Sequence, residues 1–267
     1  MHIIRYQDPQ GAVHFGSQKP NGSAVRCAGD LYKGLHETGE PARVTKLLAP
    51  LQPTQILCIG LNYHHHAAEA DMKAPKIPML FIKGINTVQN PGDPIEIPVK
   101  AASHEVDYEC ELAVVIGKDC KNATLANALD FVLGYTCAND VSARDWQLKW
   151  GSGQWCKGKS FDTFSPLGPC LVTTDEIRDP QRLAICTILN GKRVQDWDTD
   201  DMIFSVAEII VFLSGSNTLP AGTVILTGTP HGVGMSANPP RWLQPGDVVT
   251  IEIENIGALT NPVILEP

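Results

Sequence analysis

Ser103 to Gly117 reads SHEVDYECELAVVIG, with Glu105, Asp107, Glu109 and Glu111 at every second position and an apolar run directly behind them. Read as a strand, residues two apart share a face. The four carboxylates then fall on one side, and Val106, Tyr108, Cys110 and Leu112 on the other. Leu112 to Ile116 carries the strand into a core, where like charges need cations, protons or a metal ion. Two readings stay open from the pattern alone: a solvated acidic face, or a site for a hard cation.

Further apolar strands recur on both sides of this stretch: ILCIG at 56–60, CTILN at 186–190, TVILTG at 223–228 and VVTIEIE at 248–254. Pro-Gly-Asp turns stand at 91–93 and 245–247. Helices are fewer. TLANALDFVLGY at 124–135 places Leu125, Leu129 and Val132 on one helical face, and SVAEIIVFLS at 205–214 opens on a Ser205 cap. Strands outnumber helices and do not alternate with them, which predicts an α+β fold. The first fifty residues hold short β-like stretches and turns, so a small β-rich unit is expected over 1–52 and a larger one over 53–267.

No apolar run is long enough to cross a membrane, and Met1–Gln10 has no apolar signal-like core. The eight cysteines are scattered without a CxxC pair. A reduced, cytoplasmic protein is therefore expected. The net charge of −8 argues against nucleic acid as a partner. Neither GxGxxG nor GxxxxGK[ST] is present, so a nucleotide cofactor is unsupported.

Four other segments bear chemistry. In IGLNYHHHAAEA (59–70), His66 and Glu69 are three apart on a short helix, and His65 and Glu69 four apart; either pair makes a carboxylate-held imidazole base. In CANDVSARDWQ (137–147), Asp140, Arg144 and Gln147 share one face if the segment is helical. Such a group suits a metal and an anionic oxygen ligand. In QWCKGKSFDTFSPLGP (154–169), Lys157 and Lys159 sit among aromatic residues, where a lysine can stabilise developing negative charge. In ILTGTPHGVG (225–234), backbone N–H groups and the Thr227 or Thr229 hydroxyl could line a site. The bland alternatives are a surface histidine run, a capping aspartate, an exposed lysine and a tight turn.

Taken in order, CIGLNYHHHAAE, HEVDYECELAVVIG, NDVSARDWQ, KGKSFDTFSPLGP, TGTPHGVG and LQPGDVVTIEIENIG resemble the fumarylacetoacetate hydrolase family over roughly residues 53–267. The resemblance is greatest to acylpyruvases, oxaloacetate decarboxylases and 2-hydroxyhepta-2,4-dienedioate isomerases. It implies an α+β fold with a rolled mixed β-sheet, a small N-terminal domain, a homodimer and a magnesium ion, with manganese or calcium as substitutes. It implies Glu109, Glu111 and Asp140 as metal ligands and His66, Glu69 and Lys159 as catalytic groups. Arg144 and Gln147 are implied as substrate-binding, and Thr229 is added from its turn. Glu105 and Asp107 match no ligand position. The reaction expected is hydrolytic C–C cleavage of an acylpyruvate-like 2-oxo acid through a pyruvate enolate. Oxaloacetate decarboxylation, or isomerisation or hydration of a dienedioate, is the alternative. A metal-binding protein without turnover is a remote one, because it would need no His–Glu pair.

Overall fold

The apolar runs become strands that divide their side chains between two cores. The computed structural model describes residues 1–267. The elements used below are β1 (His2–Gln7), β2 (Val13–Gln18), β3 (Ala24–Asp30), β4 (Gly34–Pro41), β5 (Lys46–Leu48), β6 (Gln55–Gly60), α1 (His64–Glu69) and β7 (Met79–Lys83). They continue with β8 (Ile95–Ile97), β9 (Cys110–Ile116), β10 (Val132–Asn139), α2 (Cys156–Lys159), β11 (Ser165–Thr173), β12 (Ala184–Leu189), β13 (Lys192–Asp198), α3 (Val206–Ser214), β14 (Thr223–Leu226), β15 (Val248–Ile253) and β16 (Gly257–Leu265).

A large mixed sheet runs in the order β4-β3-β2-β1-β11-β10-β9-β14-β6-β7. A second sheet, β13-β12-β15-β16-β8, packs against it. Strand β9 is buried along its whole length. Its Cys110, Leu112, Val114 and Ile116 face the core shared with β12, β15, β16 and α3, while Ala113 and Val115 face a smaller core with Ile56, Val224 and Leu171. This is the period-two split that the quoted stretch predicts. The result is the α+β, mixed-sheet architecture expected from the sequence. No helix is long and apolar enough to cross a membrane.

Residues 2–41 form an antiparallel meander, and β1 continues the sheet by pairing His2 with Val172 and Ile3 with Leu171 on β11. Helix α3 starts as expected. Ser205 accepts from the Glu208 N–H while Glu208 accepts from the Ser205 N–H, a reciprocal capping box. Both Pro-Gly-Asp turns hold their glycine at positive φ, at Gly92 and Gly246.

The helix expected over 124–135 is corrected. Only a short 3-10 turn forms, Ala128–Phe131, and Val132 opens β10. Leu125 and Leu129, two of the three residues of the expected apolar face, are exposed. Pairing of β10 with both β9 and β11 outweighs the local helical pattern. The segment 137–147 is not one helix either. β10 ends at Asn139, and a π-helical turn, Asp145–Trp150, follows.

Candidate active site

The site lies along one rim of the large sheet. β6 and β14 are parallel, so Gly60 and Leu226 finish on the same side, and β9 begins there because it runs antiparallel to β14. β10 returns beside β9 with Cys110 opposite Asn139, which brings Asp140 to the same rim. The ladder of β9 is interrupted at its start by side chains. Asn139 Oδ1 accepts from the Glu109 N–H, and Gln195 Oε1 accepts from the Cys110 N–H. These contacts satisfy backbone donors that would otherwise be buried without partners.

Glu109, Glu111 and Asp140 each offer a carboxylate oxygen within 4.8 Å of the others, and all three are buried. Their surroundings differ. Lys159 Nζ donates to Glu109 Oε2 and to Asp140 Oδ2, each at 2.7 Å. Arg144 Nη2 lies 2.7 Å from Glu109 Oε1. Lys83 Nζ, fully buried, pairs with Asp140 Oδ1 and donates to the Val141 carbonyl. Burial alone would raise the Glu109 pKa, but Lys159 and Arg144 hold it well below the carboxylate range. Burial lowers Lys83, against the pull of Asp140.

Glu111 has no such cation. Its one hydrogen bond comes from the Gly228 N–H at 2.7 Å. Gly228 has φ +98°, and a Cβ there would meet the Asn62 Cβ at 2.7 Å, so only glycine brings this N–H so close. Burial, then Asp140 and Glu109, push the Glu111 pKa well up. Four buried carboxylates, counting Asp107, face three buried cations, Lys83, Arg144 and Lys159. The excess is one negative charge, and it rests on Glu111. An all-oxygen set of three converging carboxylates with one uncompensated charge fits a divalent hard cation.

His66 and Glu69 sit on α1 above this floor. His66 Nδ1 is 3.2 Å from Glu69 Oε2, and Glu69 Oε1 accepts from the Gly232 N–H at 2.9 Å. Burial raises the Glu69 pKa, but the contacts from His66 and Gly232 outweigh it and keep Glu69 low. His65 turns the other way: its Nδ1 pairs with Asp201 Oδ1 at 2.8 Å, and its ring packs on Trp197. The dyad is therefore His66–Glu69, and the four-apart alternative with His65 does not form.

One cavity of about 280 Å³ takes in most of these groups, and Asp140, Lys83 and Glu69 lie behind its lining. Glu109, Glu111, Arg144, Gln147, Lys159, His66 and Thr229 line its polar half. Phe81, Met72, Trp155 and Met235 are among the residues of its apolar half. Lys159 reaches it from α2, and is buried rather than an exposed loop lysine. Arg144 Nη1 donates to Gln147 Oε1 at 3.0 Å across the π-helical turn, so these two meet without the continuous helix that their spacing suggested. Thr229 Oγ1 accepts from Gln195 Nε2 at 2.9 Å. Thr227 is used differently, donating to the Leu112 carbonyl. Of the remaining alternating carboxylates, Glu105 pairs with Lys149 at the surface, and Asp107 is buried against Arg144.

Sequence reasoning did not single out Lys83. The available signal was a lysine in step with Phe81 on the inward side of MLFIK.

A sequence model described as fumarylacetoacetate (FAA) hydrolase C-terminal matches residues 55–264. The chain belongs to that family. "Oxaloacetate tautomerase fahd2, mitochondrial" of Xenopus laevis is 50% identical over 219 residues, covering 82% of this chain and 68% of its own length. "Oxaloacetate tautomerase FAHD2B, mitochondrial" of Bos taurus is 45% identical and covers 99% of this chain and 92% of its own length. A solved structure of 2-hydroxyhepta-2,4-diene-1,7-dioate isomerase from Mycobacterium marinum superposes with TM-score 0.85 at 37% identity, covering 100% of this chain and 99% of that one.

Proposed function

We propose that the protein interconverts the enol and keto forms of an oxaloacetate-like 2-oxo dicarboxylate, with magnesium held by Glu109, Glu111 and Asp140. This lies nearer to the expected alternative, an oxaloacetate or dienedioate enzyme, than to the hydrolysis expected first. It is supported by the names of the relatives. The observation that carries it is the placement of His66, held from behind by Glu69, on the same small cavity as Glu109 and Glu111. At about 280 Å³, the cavity is just below the roughly 300–1,000 Å³ range of typical ligand sites, a size suited to a short acid.

A magnesium ion bound there supplies Lewis acidity for the 2-oxo oxygen. The rest falls to the chain. Glu69 accepts from His66 Nδ1–H, which leaves Nε2 as the basic nitrogen. His66 Nε2 takes the enol proton as the O–H bond breaks, and gives one back as the C–H bond forms at the adjacent carbon. Lys159 and Arg144 offset the negative charge of the acid, and Gln147 and Thr229 orient it. All these groups lie in residues 53–267; we propose that 1–52 contributes none.

A second reading is favoured by the apolar half of the cavity. Leu61, Phe81, Trp155 and Met235 suit the acyl tail of an acylpyruvate better than a second carboxylate. In that case His66 deprotonates a water for C–C hydrolysis. Proton NMR of the protein with oxaloacetate, an acylpyruvate and a dienedioate, each with magnesium, separates the readings. Accelerated enol–keto exchange of oxaloacetate supports the first. Cleavage of the acylpyruvate without such exchange overturns it in favour of the second.

A further inference from the structure

Asp107 is fully buried and belongs to none of the groups assigned above. Its carboxylate gathers donors from three parts of the chain. Oδ1 accepts from the Tyr108 N–H at 2.9 Å and the Gly234 N–H at 2.7 Å. Oδ2 accepts from the Met235 N–H at 3.0 Å and from Arg144 Nε at 2.9 Å. Arg144 Nη2 also lies 2.9 Å from Oδ2. The turn fits closely around this carboxylate: a Cβ on Gly234 would come within 2.5 Å of Asp107 Oδ1 and 2.0 Å of the Arg241 carbonyl.

The far ends of these contacts are the cavity wall. Arg144 lines the cavity and donates to Gln147, which also lines it. Met235 and Ser236 line it as well. None of the hydrogen bonds or ion pairs of Asp107 goes to Glu109, Glu111 or Asp140. One carboxylate thus fixes the guanidinium and the Gly234–Ser236 turn against each other, and it reaches the metal-type trio only through the contact of Arg144 with Glu109.

We infer that Asp107 is a positioning residue that aims Arg144, and through it Gln147, at the carboxylate of a bound 2-oxo acid. The inference rests on the proposed 2-oxo acid site. Its chemistry demands a carboxylate. Every neighbour of Asp107 is a donor, so the NH₂ of an asparagine would face a donor whichever way it flips.

The test is a cycle of Asp107→Asn, Arg144→Gln and the double variant, with pyruvate as binding probe by calorimetry in manganese and with KM and kcat for oxaloacetate. The expected result is that Asp107→Asn weakens pyruvate and raises KM about 10- to 100-fold, the size of one charge-assisted hydrogen bond. kcat should change far less than KM. The double variant should be no worse than Arg144→Gln alone, because the two act as one unit. In Asp107→Asn, manganese affinity should move far less than pyruvate affinity, since Arg144 stays in place beside Glu109 and Asp107 itself touches none of the trio.

Additive losses in the double variant overturn the inference, as does a fall in manganese affinity that matches the fall in pyruvate affinity. Arg144→Lys gives a test in which Asp107 is intact, should Asp107→Asn fail to fold. Lysine keeps the charge but lacks the fork that Asp107 orients, so it should be as poor as Arg144→Gln. Near-normal pyruvate affinity in Arg144→Lys overturns the inference. Wild-type protein that binds pyruvate but turns over no 2-oxo acid defeats the proposed function, while the binding cycle still decides the role of Asp107. Wild-type protein that binds no pyruvate overturns both.

Discussion

Replacing Glu111 by glutamine should make the metal-free protein more stable and abolish its response to magnesium. Glu111 is buried beside two like charges with no cation of its own, and its pKa is pushed well above the ordinary 4.5. A folded pKa above the unfolded one means that the folded state binds the extra proton. Stability is then present below pH 4.5 and is lost as pH rises toward the folded pKa. At pH 7 the penalty is bounded at about 3.4 kcal/mol, taken as 1.36 kcal/mol per unit between 4.5 and 7. Glutamine removes this penalty. Its NH₂ can donate to Glu109 or Asp140, and its oxygen can keep the Gly228 N–H. For a chain of this size about 1 kcal/mol moves Tm by roughly 2–4 °C, so metal-free Glu111→Gln should melt up to about 7–14 °C above wild type at pH 7. The difference should vanish toward pH 4.5. Magnesium at 1,000 times its Kd should reverse the order, because it adds about 4.1 kcal/mol to wild type alone, more than the penalty. The assay is thermal unfolding by circular dichroism across pH, in chelator and in magnesium. A metal-free wild type more stable than Glu111→Gln at pH 7 would refute the reasoning.

His66→Ala and Glu69→Gln should each lower kcat about 10²- to 10⁴-fold, the usual contribution of a general base. Magnesium affinity, read by calorimetry, should be kept, because neither residue belongs to the trio. Lys159→Ala should lower kcat/KM for oxaloacetate and for any acylpyruvate alike, since Lys159 contacts Glu109 and Asp140 in the floor common to both reactions; steady-state kinetics with both substrates checks this. Lys83→Met should destabilise the metal-free protein by about 3–5 kcal/mol, as expected when one member of a buried ion pair is removed. Urea unfolding measures it, and a loss below about 1 kcal/mol would show that Asp140 is sufficiently held by Lys159.

The apolar run of β9 was legible because the strand is buried on both faces. The carboxylate trio was named through the family resemblance, because the alternation alone left a solvated face open and Asp140 comes from a separate segment. The capping box at Ser205 was legible because it is local. The segment 124–135 was misread because its spacing suits a helix, while its fate is decided by pairing with β9 and β11, which lie outside the segment. Arg144 and Gln147 were correctly paired for the wrong reason: a π-helical turn, not a continuous helix, brings them together. Lys83 was missed because a lysine closing a short strand normally faces water, and only the folded position of Asp140 explains its burial. Asp107 was visible in the alternation but not its use, which depends on a turn more than a hundred residues later.

The central claim is that a divalent ion at Glu109, Glu111 and Asp140 is required for His66 to transfer a proton on a 2-oxo acid. The most direct measurement follows the ultraviolet absorbance of the oxaloacetate enol, corrected for a protein-free blank at the same magnesium concentration. Wild-type protein is assayed as prepared, after exhaustive chelation, and after magnesium is returned. The account predicts conversion that is lost on chelation and regained with magnesium. An undiminished rate in the chelated protein would contradict it.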